Sequence, residues 1–213
     1  MNIATTRTAK GSLSIPNILT CARIAAIPVV IGCIYAQSIM DGPLWLRWMA
    51  VAVFIAAGIT DYLDGYYARV WNQQSAFGRM LDPIADKLLV ASCLLMLAAD
   101  NIIHGWSLWA AIVILCREIL VSGLREYLAG LRVRVPVSRL AKWKTGIQMG
   151  AIGVLLVGDA GPSGLPLILI GELMLWAAAV LTIITGYDYL RAGLTHINDE
   201  EPSVKAAKPS GAA

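Results

Sequence analysis

The chain predicts an all-α membrane protein built from six transmembrane helices. Three observations carry that prediction. Its 213 residues are 58% hydrophobic and only 15% charged, with a mean hydropathy of +0.67, which is too apolar for a water-soluble domain of this length. Polar, Gly and Pro breaks divide it into six apolar segments, each near the ~20 residues that cross a bilayer core. The cations gather in alternate connections, as they do when topology is set by keeping Lys and Arg in the cytoplasm.

Residues 1–14 open the polar stretch MNIATTRTAKGSLSIPN, which lacks the short apolar run and A-x-A site of a removable signal peptide and is expected to remain as a cytoplasmic segment. The spans then run from Ile15 to Tyr35, Leu44 to Val70, Leu81 to Ala99, Leu108 to Leu128, Thr145 to Val157 and Leu165 to Leu190. The fifth is the shortest and opens on cations. Residues 15–192 form the six-helix membrane domain. Residues 193–213, which include HINDEEPSVKAAKPSGAA, have no periodic apolar face and are expected to form a disordered cytoplasmic tail.

The breaks SIMDGP, ADNIIHG and VGDAGPSG contain no Lys or Arg. The remaining connections and the two ends hold Arg7, Lys10, Arg69, Arg79, Arg132, Arg134, Arg139, Lys142, Lys144, Arg191, Lys205 and Lys208, and only Arg47 flanks the opposite face. Both termini and the stretch Thr60 to Lys87 are therefore expected on the cytoplasmic side. Trp45, Trp48, Trp106 and Trp109 fall near the outer ends, where an aromatic belt would sit. Cys21, Cys33, Cys93 and Cys116 show no C-x-x-C pairing and read as small core residues, while His104 and His196 read as surface residues. A net charge of +3 gives no reason to expect nucleic acid as a partner.

Within TDYLDGYYARVWNQQSAFGRMLDPIADK, four aspartates stand beside apolar helices. Intramembrane ionisable residues are costly and mark functional sites by default. Asp61 and Asp64 are three apart and Asp82 and Asp86 four apart, so each pair projects from one helix face. Four clustered carboxylates repel one another unless some are protonated or a divalent cation compensates them. Oxygen ligation without His or Cys suits Mg²⁺, Mn²⁺ or Ca²⁺. Gly65, Ala68 and Gly78 leave backbone open to a ligand, and Arg69 offers a planar donor for phosphate. The plainer alternative makes the aspartates helix-end charges paired with Arg69, Arg79 and Lys87; it accounts for any one of them better than for all four at these spacings.

The pattern D-x-x-D-G-x-x-A-R, eight residues, then G-x-x-x-D-x-x-x-D, filled by Asp61, Asp64, Gly65, Ala68, Arg69, Gly78, Asp82 and Asp86, resembles the signature of the CDP-alcohol phosphatidyltransferases. The stretches IPNILTCARIAAIP, NQQSAFGRMLDPIADK, CREILVSGLREYLAG and KWKTGIQM resemble one branch of that family, the phosphatidylglycerophosphate synthases. The resemblance implies a homodimer in the cell inner membrane, two divalent ions, Mg²⁺ or Mn²⁺, and transfer of a phosphatidyl group from CDP-diacylglycerol to glycerol 3-phosphate with release of CMP. It implies Asp61, Asp64, Asp82 and Asp86 as metal ligands, with Asp86 also the general base. It places Gly65, Ala68 and Arg69 around the CDP moiety together with Asp61, Asp64 and Gly78, and Thr60, Asn17 and Arg23 near it.

A phosphorylated acceptor needs cations to hold its dianion. Arg117 and Arg125 stand two turns apart on the fourth helix, and Arg139, Lys142 and Lys144 precede the fifth, so they are expected to converge into a cationic pocket beside the aspartates, with Glu118 and Glu126 orienting them. Arg132 and Arg134 read as topology or headgroup contacts. Competing acceptors within the family are an inositol phosphate and phosphatidylglycerol, the latter as in a cardiolipin synthase. An intramembrane prenyltransferase would show paired D-x-x-x-D motifs on well-separated helices, and a transporter would line a path across the bilayer with its charges. The sequence shows neither pattern.

Overall fold

The structure, a computed structural model, describes residues 15–71, 76–130, 139–162 and 164–206; the side chains at 15–17, 62, 64–71, 76, 77, 79, 139, 192 and 194–206 also lie outside the described residues. Among the described residues all regular structure is helical: α1 (Ile15–Ser38), α2 (Trp45–Trp71), α3 (Ala76–Ala99), α4 (Trp106–Gly130), α5 (Arg139–Val157), a 3₁₀ turn at Gly158–Ala160, and α6 (Leu167–Ala206). Stretches within α1, α4 and α6, namely Ile18–Ser38, Trp106–Gly130 and Leu167–Arg191, are long and apolar enough to cross a membrane. The other three helices carry the aspartates and the fifth-segment cations.

Two helices start more than a turn earlier than apolar content suggests. α3 opens at Ala76 rather than Leu81 and α5 at Arg139 rather than Thr145, so Gly78, Asp82, Lys142 and Lys144 all sit on regular helix. Backbone hydrogen bonding continues where hydropathy stops, since a helix turn needs no apolar residue once it leaves hydrocarbon. In the same way α6 runs on to Ala206, into the segment the sequence reading assigns to a disordered tail.

The helices divide into two compact units. The first comprises the described residues of Met1–Ile102 and Ile152–Ile168, and in it α1 packs against both α2 and α3. Its core is read at helical spacing: Ile27, Val30 and Ile34 from α1, Ala50, Phe54 and Ala57 from α2, and Ala85, Leu89, Cys93 and Leu97 from α3 are buried. Alanines at two of the three α2 positions let the backbones approach, the usual means of helix association where lipid removes the hydrophobic drive. The second unit, Ile103–Ala151 with Leu169–Ala213, buries Ala110, Ile114, Val121 and Leu128 of α4 and Leu175, Ala178 and Ala179 of α6. On the outward faces Leu95, Ile119, Leu173 and Ile183 are all more than half exposed, an apolar surface suited to lipid rather than water.

At the end of the first unit away from the aspartates, one buried guanidinium ties four chain segments together. Arg47 donates from Nε to the Leu156 carbonyl at 2.9 Å, from Nη1 to Gln37 at 3.0 Å and from Nη2 to Asp100 at 2.9 Å, while Ser38 donates to the other Asp100 oxygen. Gly158, at φ +48°, lies beneath it: a Cβ there would stand 3.1 Å from Nη2. Glycine is thus required twice over, by the left-handed backbone and by the guanidinium packed on it.

The cysteines depart in part from their expected role. Cys33 and Cys93 are buried, but Cys21 and Cys116 are exposed because they lie on the outward faces of α1 and α4; all four are free thiols. Trp45, Trp48, Trp106 and Trp109 also face outward.

Candidate active site

The carboxylates are positioned by the first unit. Asp61 lies on α2 about 21 Å along the helix axis from Arg47. Asp82 and Asp86, one turn apart on α3, both lie within electrostatic reach of Asp61. Pro83 interrupts the α3 donor series between them, and the Lys87 ammonium donates to its carbonyl at 3.1 Å.

Arg23 supplies the countercharge. Its Nη1 stands 2.7 Å from Asp61 Oδ1, and although Asp61 is half exposed, Arg23 is almost wholly buried on α1. Thr20, one turn earlier on that face and equally buried, donates its hydroxyl to Asp82. Helix α1 therefore holds both acidic helices through two buried polar side chains. Sequence reasoning placed Arg23 near the nucleotide and passed over Thr20; the signal available was their three-residue spacing, which puts both on one helical face. Thr60 turns its hydroxyl back to the Ala57 carbonyl at 2.8 Å, and Gly78 is buried. The side chains of Asn17, Asp64, Ala68 and Arg69, and position Gly65, lie outside the described residues, although their positions fall within α1 and α2.

Among the described residues no three His, Cys, Asp or Glu side chains are gathered tightly enough to hold an ion. Arg23 and Thr20 instead engage two of the carboxylates. The donor chemistry still fits a hard divalent cation, since the charges acting on Asp61 besides Arg23 are the carboxylates of Asp86 and Asp82.

The cations belong to the second unit, and the structure sorts them into two groups. Arg117 on α4 donates from Nε to the Thr182 carbonyl at 3.2 Å and from Nη2 to Thr185 Oγ1 at 2.8 Å. Its guanidinium and that of Arg125 both lie over the Tyr189 ring, at 6.0 and 5.5 Å from the centroid. Glu118 links them to α5: it lies 3.7 Å from Arg117 and pairs with the buried Lys144 ammonium. Gly186 makes room, because a Cβ there would meet Arg117 Cγ at 3.0 Å. Arg117, Arg125 and Lys144 thus form one network through Glu118 and Tyr189.

Lys142 is not part of it. Two residues from Lys144, it faces the other way and lines an open groove of about 570 Å³ with Trp143, Gly146, Ile147 and Met174. The Arg139 side chain lies outside the described residues, and Glu126 is exposed. Thr182, Thr185 and Tyr189 were missed by reading the sequence, because α6 looks uniformly apolar there; their i, i+3, i+7 spacing is the signal that places them on one face.

The architecture and motif define a class, and comparison with known proteins agrees with it. Residues 13–184 match the family model described as CDP-alcohol phosphatidyltransferase, and the chain belongs to that family. Among individual relatives, it is 50% identical over 179 residues, 84% of this chain and 94% of the other, to the CDP-diacylglycerol–glycerol-3-phosphate 3-phosphatidyltransferase of Rickettsia bellii. It is 38% identical over 183 residues to the Bacillus subtilis protein of the same name, covering 83% of this chain and 93% of the other. A CMP-forming cardiolipin synthase of Oryza sativa is 37% identical over 192 residues, covering 84% of this chain and 57% of the other.

Proposed function

We propose that this chain transfers the phosphatidyl group of CDP-diacylglycerol to glycerol 3-phosphate, giving phosphatidylglycerophosphate and CMP. The observation that carries the choice of acceptor is the Arg117–Arg125–Lys144 network, since a neutral acceptor needs no such gathering of cations. The relatives bearing the glycerol-3-phosphate name, at up to 50% identity, support the same reading. The transferase domain is residues 15–192, crossing the inner membrane six times as a homodimer, with both termini and the aspartates cytoplasmic.

Asp61, Asp64, Asp82 and Asp86 would hold the divalent ions, Mg²⁺ or Mn²⁺. When bound, these neutralise charge on the pyrophosphate oxygens as it develops. Gly65, Ala68, Arg69 and Gly78, with Thr60 and Asn17 nearby, would seat the CDP moiety. Arg23 holds Asp61 in place. The cation network orients the acceptor by its phosphate, and Asp86 accepts the proton of the attacking hydroxyl. The new bond joins that oxygen to the lipid-bearing phosphorus, the bond from phosphorus to the CMP oxygen breaks, and CMP leaves with the electron pair.

The test is purified protein with CDP-diacylglycerol and a panel of acceptors: glycerol 3-phosphate, an inositol phosphate, glycerol and phosphatidylglycerol. Formation of phosphatidylglycerophosphate and CMP, abolished by excess EDTA and restored by Mg²⁺ or Mn²⁺, is expected. Cardiolipin as the main product would overturn the choice of acceptor, and full turnover in EDTA after metal stripping would overturn the metal assignment.

A further inference from the structure

The groove lined by Lys142, Trp143, Gly146, Ile147 and Met174 lies wholly within the second unit, and it is charged at one end and apolar at the other. Lys142 and Gly146 stand four residues apart, as do Trp143 and Ile147, so they form two rows along one strip of α5. Lys142 belongs to the cationic first turn of that helix. Gly146 lies about 6 Å further along the axis, inside the apolar run that begins at Thr145. Met174 marks the far end: its Cε would stand 2.9 Å from a Cβ at Gly150, a position about 12 Å along the axis from Lys142. Met174 is part of Leu167–Arg191, a stretch long and apolar enough to cross a membrane, so lipid surrounds this end of the groove.

Two residues are placed for a ligand rather than for the fold. The Lys142 ammonium is exposed and has no hydrogen bond or ion pair among the described residues, whereas Lys144, two positions on, pairs with Glu118. Gly146 is a mid-helix glycine, less favourable there than alanine, yet a Cβ at this position would meet nothing within 4 Å. Packing within the chain does not call for glycine here; its missing side chain gives the groove its depth. Gly150 differs, because Met174 already fills the space above it. Trp143, 70% exposed beside Lys142, presents an apolar ring with a single N–H, the pattern of a side chain at the level of lipid headgroups.

An occupant that matches both ends carries a negative charge at one and a chain of methylenes at the other. A soluble phosphate matches only Lys142, and a neutral lipid only the apolar end. We propose that the groove seats one anionic phospholipid, with its phosphate on Lys142, its glycerol backbone against Trp143, and an acyl chain laid over Gly146 and Ile147 against Met174. This lipid is a resident of the α5–α6 surface and not a reactant.

The experiment titrates the purified, delipidated full-length chain in neutral detergent with dioleoyl phosphatidylglycerol or dioleoyl phosphatidylcholine, and counts bound lipids by native mass spectrometry. The wild-type chain should bind the anionic lipid roughly fivefold more tightly, the effect of one cation near a lipid surface. Lys142→Ala should bring that ratio towards one, and Lys142→Arg should keep it. Gly146→Leu, whose side chain takes the place of the acyl chain, should weaken binding of both lipids by about tenfold. Inorganic phosphate at the same concentration should displace neither. A ratio of one in the wild type, a ratio that survives Lys142→Ala, or unchanged binding to Gly146→Leu would overturn the proposal. Displacement by phosphate would do so too, since it would leave an anion site without a lipid. Two further readouts on Gly146→Leu test other occupants: a raised KM for CDP-diacylglycerol would assign the groove to the substrate's own acyl chain, and a change from dimer to monomer mass would assign it to a second copy, either of which overturns the proposal. Lys142 is exposed, so its variants decide the question even where Gly146→Leu fails to fold.

Discussion

At the scale of single residues, Asp86 and Lys144 make the sharpest claims. Asp86→Asn keeps size and one ligating oxygen but cannot accept the nucleophile's proton, so kcat should fall by about a hundredfold or more while the KM for CDP-diacylglycerol changes little. Rates measured with saturating lipid check it, and a near wild-type kcat would remove Asp86 from the role of base. On the proposed reading Lys144→Ala and Arg117→Ala each remove a charge-assisted partner of the acceptor phosphate, so a loss of about 1.5–3 kcal/mol or roughly tenfold to a hundredfold in the KM for glycerol 3-phosphate is expected. Lys142→Ala should shift that KM by less than about threefold, because Lys142 faces the open groove and not the network. Sequence spacing alone grouped all three cations. Only the helical phase of α5, read from Arg139 rather than Thr145, separates Lys142 from Lys144.

At the scale of elements, the Arg47 clasp sets how α1, α2 and α3 stand along their axes. Its three hydrogen bonds reach the end of α1, the end of α3 and the last turn of α5, and the carboxylate network lies at the far end of the same helices. Arg47→Met strands Asp100 in a buried setting and should destabilise the fold by about 3–5 kcal/mol. The double variant Arg47→Met with Asp100→Leu removes both charges and should recover much of that loss, since paired buried charges often contribute little net stability. Thermal melting of the four members of this cycle in detergent provides the measurement; equal destabilisation by single and double variants would mean that the clasp is not a coupled unit. The sequence reading recognised Arg47 only as a cation on the wrong side for the positive-inside pattern. Its partners come from positions 37, 100 and 156, and no local pattern links them.

At the scale of the whole molecule, the proposal of six spans has a direct consequence for labelling. In a chain with its four cysteines replaced by alanine, Ser203→Cys should react with a membrane-impermeant maleimide only when the cytoplasmic face is exposed, and Asp41→Cys only from the opposite face. Labelling of both from one side would break the topology. Among the described residues three helical stretches meet a length-and-apolarity test unaided, and α2 and α3, which carry Asp61, Asp82 and Asp86, are not among them. Such helices cross a membrane in the company of neighbours that satisfy those charges, as Arg23 does for Asp61.

What this chain's sequence determined by itself was its helical, lipid-facing class and its family, since composition, apolar run length and the fixed spacing of Asp61, Asp64, Asp82 and Asp86 are properties of the linear chain. Helix periodicity also placed each aspartate pair on one face. What only the tertiary structure decided was which polar groups meet: Arg23 with Asp61, Thr20 with Asp82, and Glu118 between Arg117 and Lys144. The physical reason is that hydrogen bonds and ion pairs act over a few ångströms between helices tens of residues apart. Their partners are selected by the rotation and axial offset of packed helices, and a pattern along one chain segment carries neither quantity.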